Sequence, residues 1–262
     1  MSLVSFVSAK GAPGVTTTVT TLAGLWPQRP VVVELDPQGS DIELRQRAAD
    51  GSTLGDDRGL LSLAAAARVG QEVNIDDHVQ ITDAGLDVCL GVTTPAQMQG
   101  LATTWSAVGT ALRAAGRDVL ADCGRFATGM PAMPVVERST ALVFVARDSI
   151  EGLAHLRNRL AMLEESRHSG GLGTVKLGYV LVGDPTDTRS AADTERLFAS
   201  AGLRAELLGV IAFDPRTVGR LRTDSERRIR RSLYIRSAQV VADKLARFVG
   251  TVPQASSEQG VA

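Results

Sequence analysis

Short apolar runs alternate with amphipathic stretches along nearly the whole chain. Leu3 to Ser8 is a largely apolar run and reads as a first strand. After a glycine-bearing loop, Val15, Val19, Leu22, Ala23 and Trp26 fall on one helical face, and Pro27 ends that helix. The β-branched run from Val15 to Thr21 is a poor helix former. Its position outweighs that preference, because a loop of this kind feeds a helix N-terminus. Val31 to Leu35 is a second strand, with the continuous apolar pattern of a parallel sheet covered on both faces.

The pattern then predicts a short helix over Asp41 to Ala49, a polar loop over 51–59 and a helix over Leu60 to Arg68. Short strands are expected at His78 to Thr82 and Asp87 to Val92. One long helix is expected from Pro95 to about Ala115, burying Met98, Leu101, Trp105, Val108 and Leu112. Strands follow at Asp118 to Cys123, Ala141 to Ala146, Leu177 to Val182 and Leu207 to Phe213. Between them, Ile150, Leu153, Leu156, Leu160 and Leu163 mark one helix face, and Ala191 to Ala201 form another helix. Leu233 to Val249 closes the pattern as a helix. The alternation implies an α/β fold, a doubly wound, mainly parallel β-sheet with helices on both faces and right-handed crossovers. No repeat or Pro/Gly/Ser linker interrupts residues 1–250, which read as one domain. The small, polar tail at 251–262 is expected to be disordered.

Composition changes this picture little. The chain has 262 residues, 44% hydrophobic and 22% charged, as in soluble globular domains. A net charge of −1 supplies no global attraction to nucleic acid or membrane. Cys89 and Cys123 lie in apolar runs without C-x-x-C spacing and read as buried structural thiols suited to a reducing cytoplasm. The three histidines, His78, His155 and His168, form no metal-ligand pattern. No stretch approaches the roughly 20 apolar residues of a membrane span, and no signal peptide is evident. Lysine occurs only at positions 10, 176 and 244, which makes Lys10 unlike an incidental surface lysine.

Lys10 opens the stretch that organises the rest, Ser8-Ala9-Lys10-Gly11-Ala12-Pro13-Gly14-Val15-Thr16-Thr17-Thr18. Strand, glycine loop and helix in that order form a phosphate cradle, in which loop amides and a helix N-terminus face the anion. The stretch departs from the template G-x-x-x-x-G-K-[ST] at Ala9 and Val15. It fits better the deviant loop K-G-G-x-G-K-[ST], with Lys10 as the extra opening lysine. Gly11, Gly14 and Thr16 match, Ala12 departs mildly, and Val15 replaces the phosphate lysine. A nucleoside triphosphate site also needs a hydroxyl and carboxylates for Mg²⁺ and a group to orient water. Thr16 is the metal-side hydroxyl and Thr17 a second phosphate contact. Asp36 and Asp122 end apolar strands, where open α/β sheets bind ligands.

On these residues the chain resembles the ParA/MinD family of deviant Walker A ATPases. Residues 10–17 match the family loop. Glu34-Leu35-Asp36-Pro37-Gln38-Gly39 resembles its D-x-D-P-Q-G segment, with Glu34 replacing the first Asp. Asp118-Val119-Leu120-Ala121-Asp122-Cys123-Gly124 resembles its Walker B strand. Gly209-Val210-Ile211-Ala212-Phe213-Asp214-Pro215 resembles its late G-x-I-P-x-D strand end near the base. The resemblance implies ATP or ADP with Mg²⁺ as cofactors and a homodimer that sandwiches two nucleotides. It implies that Lys10 reaches the partner's phosphates, that Thr16, Asp36 and Asp122 serve Mg²⁺, and that Asp36 orients the water. Gly11, Ala12, Pro13, Gly14, Val15, Thr16 and Thr17 would hold phosphates, and Asp214 and Pro215 would lie at the base. Gly183-Asp184-Pro185 stands where the family has its adenine-side Asn.

The implied function is an ATP-dependent dimerisation switch in partitioning or subcellular positioning, cytoplasmic, with slow hydrolysis because of Val15. An unidentified protein partner is expected. The pilus-associated, CpaE-like branch contains degenerate loops of this kind. A competing reading is a nucleotide-independent scaffold, and an ATP-dependent amidoligase lacks any signature here. The arginines from Arg216 to Arg231 offer either a solvated face or a surface for non-specific DNA. The tail has no basic amphipathic helix of the MinD type.

Overall fold

A computed structural model describes residues 1–70, 72–168, 172–221 and 229–251. Of the tail expected to be disordered at 251–262, Thr251 is instead buried and held by Asp118, while residues 252–262, with Arg222, Arg227 and Arg228, lie outside the described residues. The elements run β1 (Leu3–Ser8), α1 (Val15–Gly24), β2 (Val31–Glu34), α2 (Ile42–Arg45), α3 (Leu60–Arg68), β3 (Gln80–Ile81) and β4 (Asp87–Cys89). They continue with α4 (Pro95–Gly100), α5 (Trp105–Arg113), β5 (Val119–Arg125), α6 (Met133–Val136), β6 (Ala141–Arg147), α7 (Ile150–His168) and β7 (Lys176–Gly183). Last come α8 (Thr188–Ser200), β8 (Glu206–Ala212), α9 (Pro215–Arg220) and α10 (Leu233–Val249).

The strands form one sheet in the order β3-β4-β2-β5-β1-β6-β7-β8. Every pairing is parallel except β3 with β4. Alternate strand residues feed two apolar layers. Leu3, Val7, Val31, Val33, Leu142 and Phe144 face one, which is closed by α3, α5, α6, α7 and α8. Val4, Phe6, Val32, Val143 and Val145 face the other, closed by α1 and α10. Burial on both faces is why these strands read as continuous apolar runs. The Thr21 hydroxyl and the Tyr234 hydroxyl, 2.7 Å apart, join α1 to α10. Cys89 and Cys123 are fully buried and burial pushes both thiols up, Cys123 to about 12, so neither is a nucleophile.

Four expectations change. The long helix from Pro95 is two, α4 and α5, separated by a turn at 101–104. Gly100 and the Thr103-Thr104 pair are weak helix formers there, although Met98, Leu101, Trp105, Val108 and Leu112 are all buried as expected. The helix over Asp41 to Ala49 shrinks to α2, because Ala48 bridges Thr82 and the chain turns extended at Gln46. Ile150 starts α7 but is exposed, while Leu156, Leu160 and Leu163 pack inward. It occupies the first helical position, at the end of the sheet, beyond the reach of the core. The strands expected at 78–82 and 87–92 are trimmed to β3 and β4, with a 3₁₀ turn at Ile75–His78.

Asp118, buried just before β5, ties the N-terminal end of the sheet together. Its carboxylate accepts from the Ser2 N–H (2.7 Å), Trp26 Nε1 (2.9 Å) and the Thr251 hydroxyl (2.9 Å). Asp118→Ala leaves buried donors unpaired and is expected to lower unfolding stability by about 3 kcal/mol, measured by urea denaturation.

Candidate functional site: a phosphate-type loop over buried carboxylates

The 9–14 loop links the central strand β1 to α1. Gly11 (φ 74°) and Gly14 (φ 98°) take left-handed conformations there, which side-chain-bearing residues rarely adopt. The Gly14 carbonyl accepts the Thr18 N–H at 2.8 Å, starting the helix with no side-chain cap. The first-turn amides of α1 therefore face the cleft and give it a partial positive charge. Residues 11–17 line this cleft of about 710 Å³, with Asp36, Asp41, Arg45, Gly124 and Arg125 opposite.

Of the predicted acids, Asp36 lines the cleft, while strand register sets Asp122 in the buried layer behind it. Glu34 pairs with Asp122 across β2 and β5, and Phe6 of β1 flanks Asp122 on the other side. Asp122 is 1% exposed. Burial, with Glu34 and Asp36 nearby, raises its pKa from the usual 3.8 to about 7, against hydrogen bonds from the Thr16 hydroxyl and the Gly124 N–H. Asp36 is half-buried, and burial also raises its pKa, opposed by the Gln38 N–H and by the charge of Arg125. Its carboxyl lies against Gly124, where an added Cβ would come within 2.4 Å of the Asp36 carboxyl carbon. Gly124 also has φ +66°.

Glu34 has a different role from Asp36 and Asp122. It is buried, with its pKa raised mainly by that burial. One carboxylate oxygen accepts the N–H groups of Asp41 (3.1 Å) and Ile42 (2.9 Å). The other accepts the Ser40 hydroxyl and the Gly91 N–H (3.2 Å). It thus pins the start of α2 to the end of β2.

The remaining predicted residues divide. Lys10 is exposed and does not line the cleft of its own chain. Val15 is 8% exposed and belongs to the apolar layer with Val4, Phe6 and Val19. Asp214 caps α9 by accepting the Thr217 N–H at 2.9 Å and its hydroxyl, which lowers the Asp214 pKa. Asp214 and Pro215 line a neighbouring cavity of about 210 Å³ that shares Ala12, Pro13, Gly14 and Thr17 with the main cleft. The loop therefore stands between two connected recesses. Gly183 and Asp184 line a third cavity, of about 690 Å³, in which the Arg147 guanidinium lies 3.4 Å from the centre of the exposed Phe213 ring. Arg45 is absent from the sequence reading. Its Nη1 lies 3.3 Å from the Thr17 hydroxyl, and its Nη2 pairs with Asp41 at 2.7 Å. The i,i+4 spacing of Asp41 and Arg45 was a visible signal for the pair, but not for its position beside the loop.

Among the described residues no cluster of three acids, histidines or cysteines forms a self-sufficient metal site. The donor set fits an ion held instead by Thr16 and by ligand phosphates, with Asp122 behind the hydroxyl. No described helix is long and apolar enough to cross a membrane.

Because its folded-state pKa lies above the ordinary value, Asp122 stabilises the fold least at high pH. Its contribution is lost as pH rises from about 4 to about 7. In metal-free buffer, Asp122→Asn is expected to gain thermal stability relative to the unaltered chain at pH 8, with the difference shrinking toward pH 4 in melts across that range. Gly124→Ala is expected to displace Asp36 and to cost about 1–2 kcal/mol of stability from the left-handed backbone alone, read by chemical denaturation.

Neither a family model nor a curated protein matches the sequence. Solved structures do match. The cell division ATPase MinD of Pyrococcus furiosus aligns over 94% of this chain and 99% of its own, with TM-score 0.67 and 19% identity. A ParA family ATPase from Chlorobium tepidum aligns over 93% and 98%, with TM-score 0.68 and 18% identity. The septum site-determining protein MinD of Pyrococcus horikoshii, complexed with Mg-ADP, aligns over 95% and 97%, with TM-score 0.64 and 18% identity. The chain has the fold of the MinD and ParA ATPases, an eight-stranded, mostly parallel sheet covered by helices.

Proposed function

We propose that this chain is a ParA/MinD-type protein that binds Mg-ATP or ADP and uses the bound state to form a homodimer in subcellular positioning. The observation that carries the reading is the left-handed glycine loop at the N-terminus of α1, facing Asp36 and standing over buried Asp122. The Mg-ADP complex of a protein with the same fold supports the choice of ligand. Residues 11–17, except Pro13, which has no N–H, would hold the phosphates by backbone amides, and Thr16 would contact Mg²⁺. Asp122 would hold the Thr16 hydroxyl, and Asp36 would orient a water. Mg²⁺ held there would supply charge neutralisation at the phosphates. Asp214 and Pro215 border the recess suited to the base. Lys10, exposed and outside the lining of its own cleft, suits a contact to a partner's phosphates.

Val15 removes one cation from this site. A charge-assisted contact contributes about 1.5–3 kcal/mol, so binding is weakened by roughly 10- to 100-fold and not abolished. Hydrolysis suffers more, because the same charge would stabilise the transition state. Burial of Val15 in the apolar layer favours a second reading, a scaffold that dimerises or docks a partner without nucleotide. The apparatus served, a pilus or secretion machine or DNA, is a finer question of partner. Arg216, Arg220, Arg230 and Arg231 are exposed and suit non-specific phosphate contacts.

Isothermal titration with Mg-ATP is expected to show binding. Absence of heat and of any thermal shift at millimolar nucleotide would overturn the nucleotide reading. Lys10→Ala is expected to abolish ATP-dependent dimers in sedimentation velocity while leaving nucleotide binding by the monomer. Dimers that persist without nucleotide and in Lys10→Ala would establish the scaffold.

A further inference from the structure

Binding a triphosphate requires cations around the phosphates, and the chain has no lysine at the usual position in its loop. Among the described residues that line the cleft, Arg45 and Arg125 carry positive charge. They approach from different directions. Arg125 ends β5, and its charge acts on Asp36. Arg45 ends α2, and its Nη1 is 3.3 Å from the hydroxyl of Thr17, in the first turn of α1. The guanidinium is thus placed beside the amides that face the anion.

Its position is set by a chain of contacts that starts in the core. The buried Glu34 carboxylate accepts the Asp41 and Ile42 N–H groups, fixing the start of α2. The Asp41 carboxylate then accepts Nη2 of Arg45 at 2.7 Å. The other arm reaches Thr17. A guanidinium carries five donors in a planar fork matched to phosphate oxygens. It can exchange the neutral Thr17 hydroxyl for an anionic oxygen while keeping Asp41. The weak, long bond to Thr17 is the contact that a phosphate would replace.

We propose that Arg45, delivered from α2, is the phosphate-binding cation of this site and takes over the charge that Val15 lacks. This inference rests on the nucleotide-binding reading given above. It assigns Glu34 and Asp41 as positioning residues for Arg45.

The test is isothermal titration of the full chain, unaltered and as Arg45→Ala, Arg45→Gln and Arg125→Ala, with Mg-ATP, Mg-ADP and AMP. Arg45→Ala and Arg45→Gln are expected to weaken Mg-ATP by roughly 10- to 100-fold, with Mg-ADP weakened and AMP little changed. Arg45→Lys is expected to recover part of the loss, as a point charge without the fork. Arg45 is exposed, so thermal midpoints of the ligand-free variants should stay near that of the unaltered chain. Unchanged Mg-ATP affinity in both Arg45 variants would overturn the proposal, as would an equal loss for AMP and ATP, or a loss confined to Arg125→Ala. If the unaltered chain binds no nucleotide at all, the nucleotide reading itself fails and takes this proposal with it.

Discussion

Negative charge held close together inside a protein must be satisfied locally, and that constraint organises this site. Glu34 and Asp122 stand side by side at the C-terminal ends of β2 and β5, with Asp36 just beyond. Burial raises the pKa of each, and the charges of Glu34 and Asp36 further disfavour ionisation of Asp122. The surrounding structure supplies the answer in pieces. Glu34 is met by four donors. Asp122 is met by Thr16 and Gly124. Asp36 is met by the Gln38 N–H and offset by Arg125. These donors come from the first turn of α1, the segment leading into α2, the end of β5 and the residues after β2 and β4, so satisfying the carboxylates also fixes the walls of the cleft.

Val15 shows the other half of the balance. In a helix-starting loop, one residue either turns toward the anion or packs beneath it. Here it packs, joining Val4, Phe6 and Val19 in the layer between the sheet and α10. The exchange strengthens the apolar anchorage of α1 while removing charge from the cleft. What remains on the cleft side is backbone, through the amides of the first helical turn, and arginine from neighbouring elements. The loop also stands between two recesses that share its Ala12, Pro13 and Gly14, together with Thr17 of α1.

The sequence was most readable where one element's own residues settle its structure. Every strand of four or more residues stood out as an apolar run, because a parallel sheet buries both faces. Leu233 to Val249 was legible to its ends, having an apolar stripe, a Ser232 cap and Gly250 after it. The break between α4 and α5 was not legible, since the buried stripe continues through the turn and hides the loss of helical backbone. Asp41 to Ala49 read as helix because its pairing partner, Thr82, lies far along the chain. Asp214 lines the recess that shares residues with the loop and also caps α9 through both carboxylate oxygens, a contact its resemblance to the late strand end did not reveal.

By itself the sequence determined the strand-loop-helix unit, the apolar strands that carry Asp122 and lead to Asp36, and Val15 in place of the template lysine. These depend on residue type and spacing within short segments. Only the tertiary structure decided that Asp122 is buried beneath Thr16, that Val15 packs into the core and that Lys10 stays outside its own cleft. It alone decided that Arg45 lies beside Thr17. Each of these depends on register and packing between segments remote in sequence, such as β2 against β5 and α2 against α1. A charge's environment is set by those neighbours and not by its place in the chain.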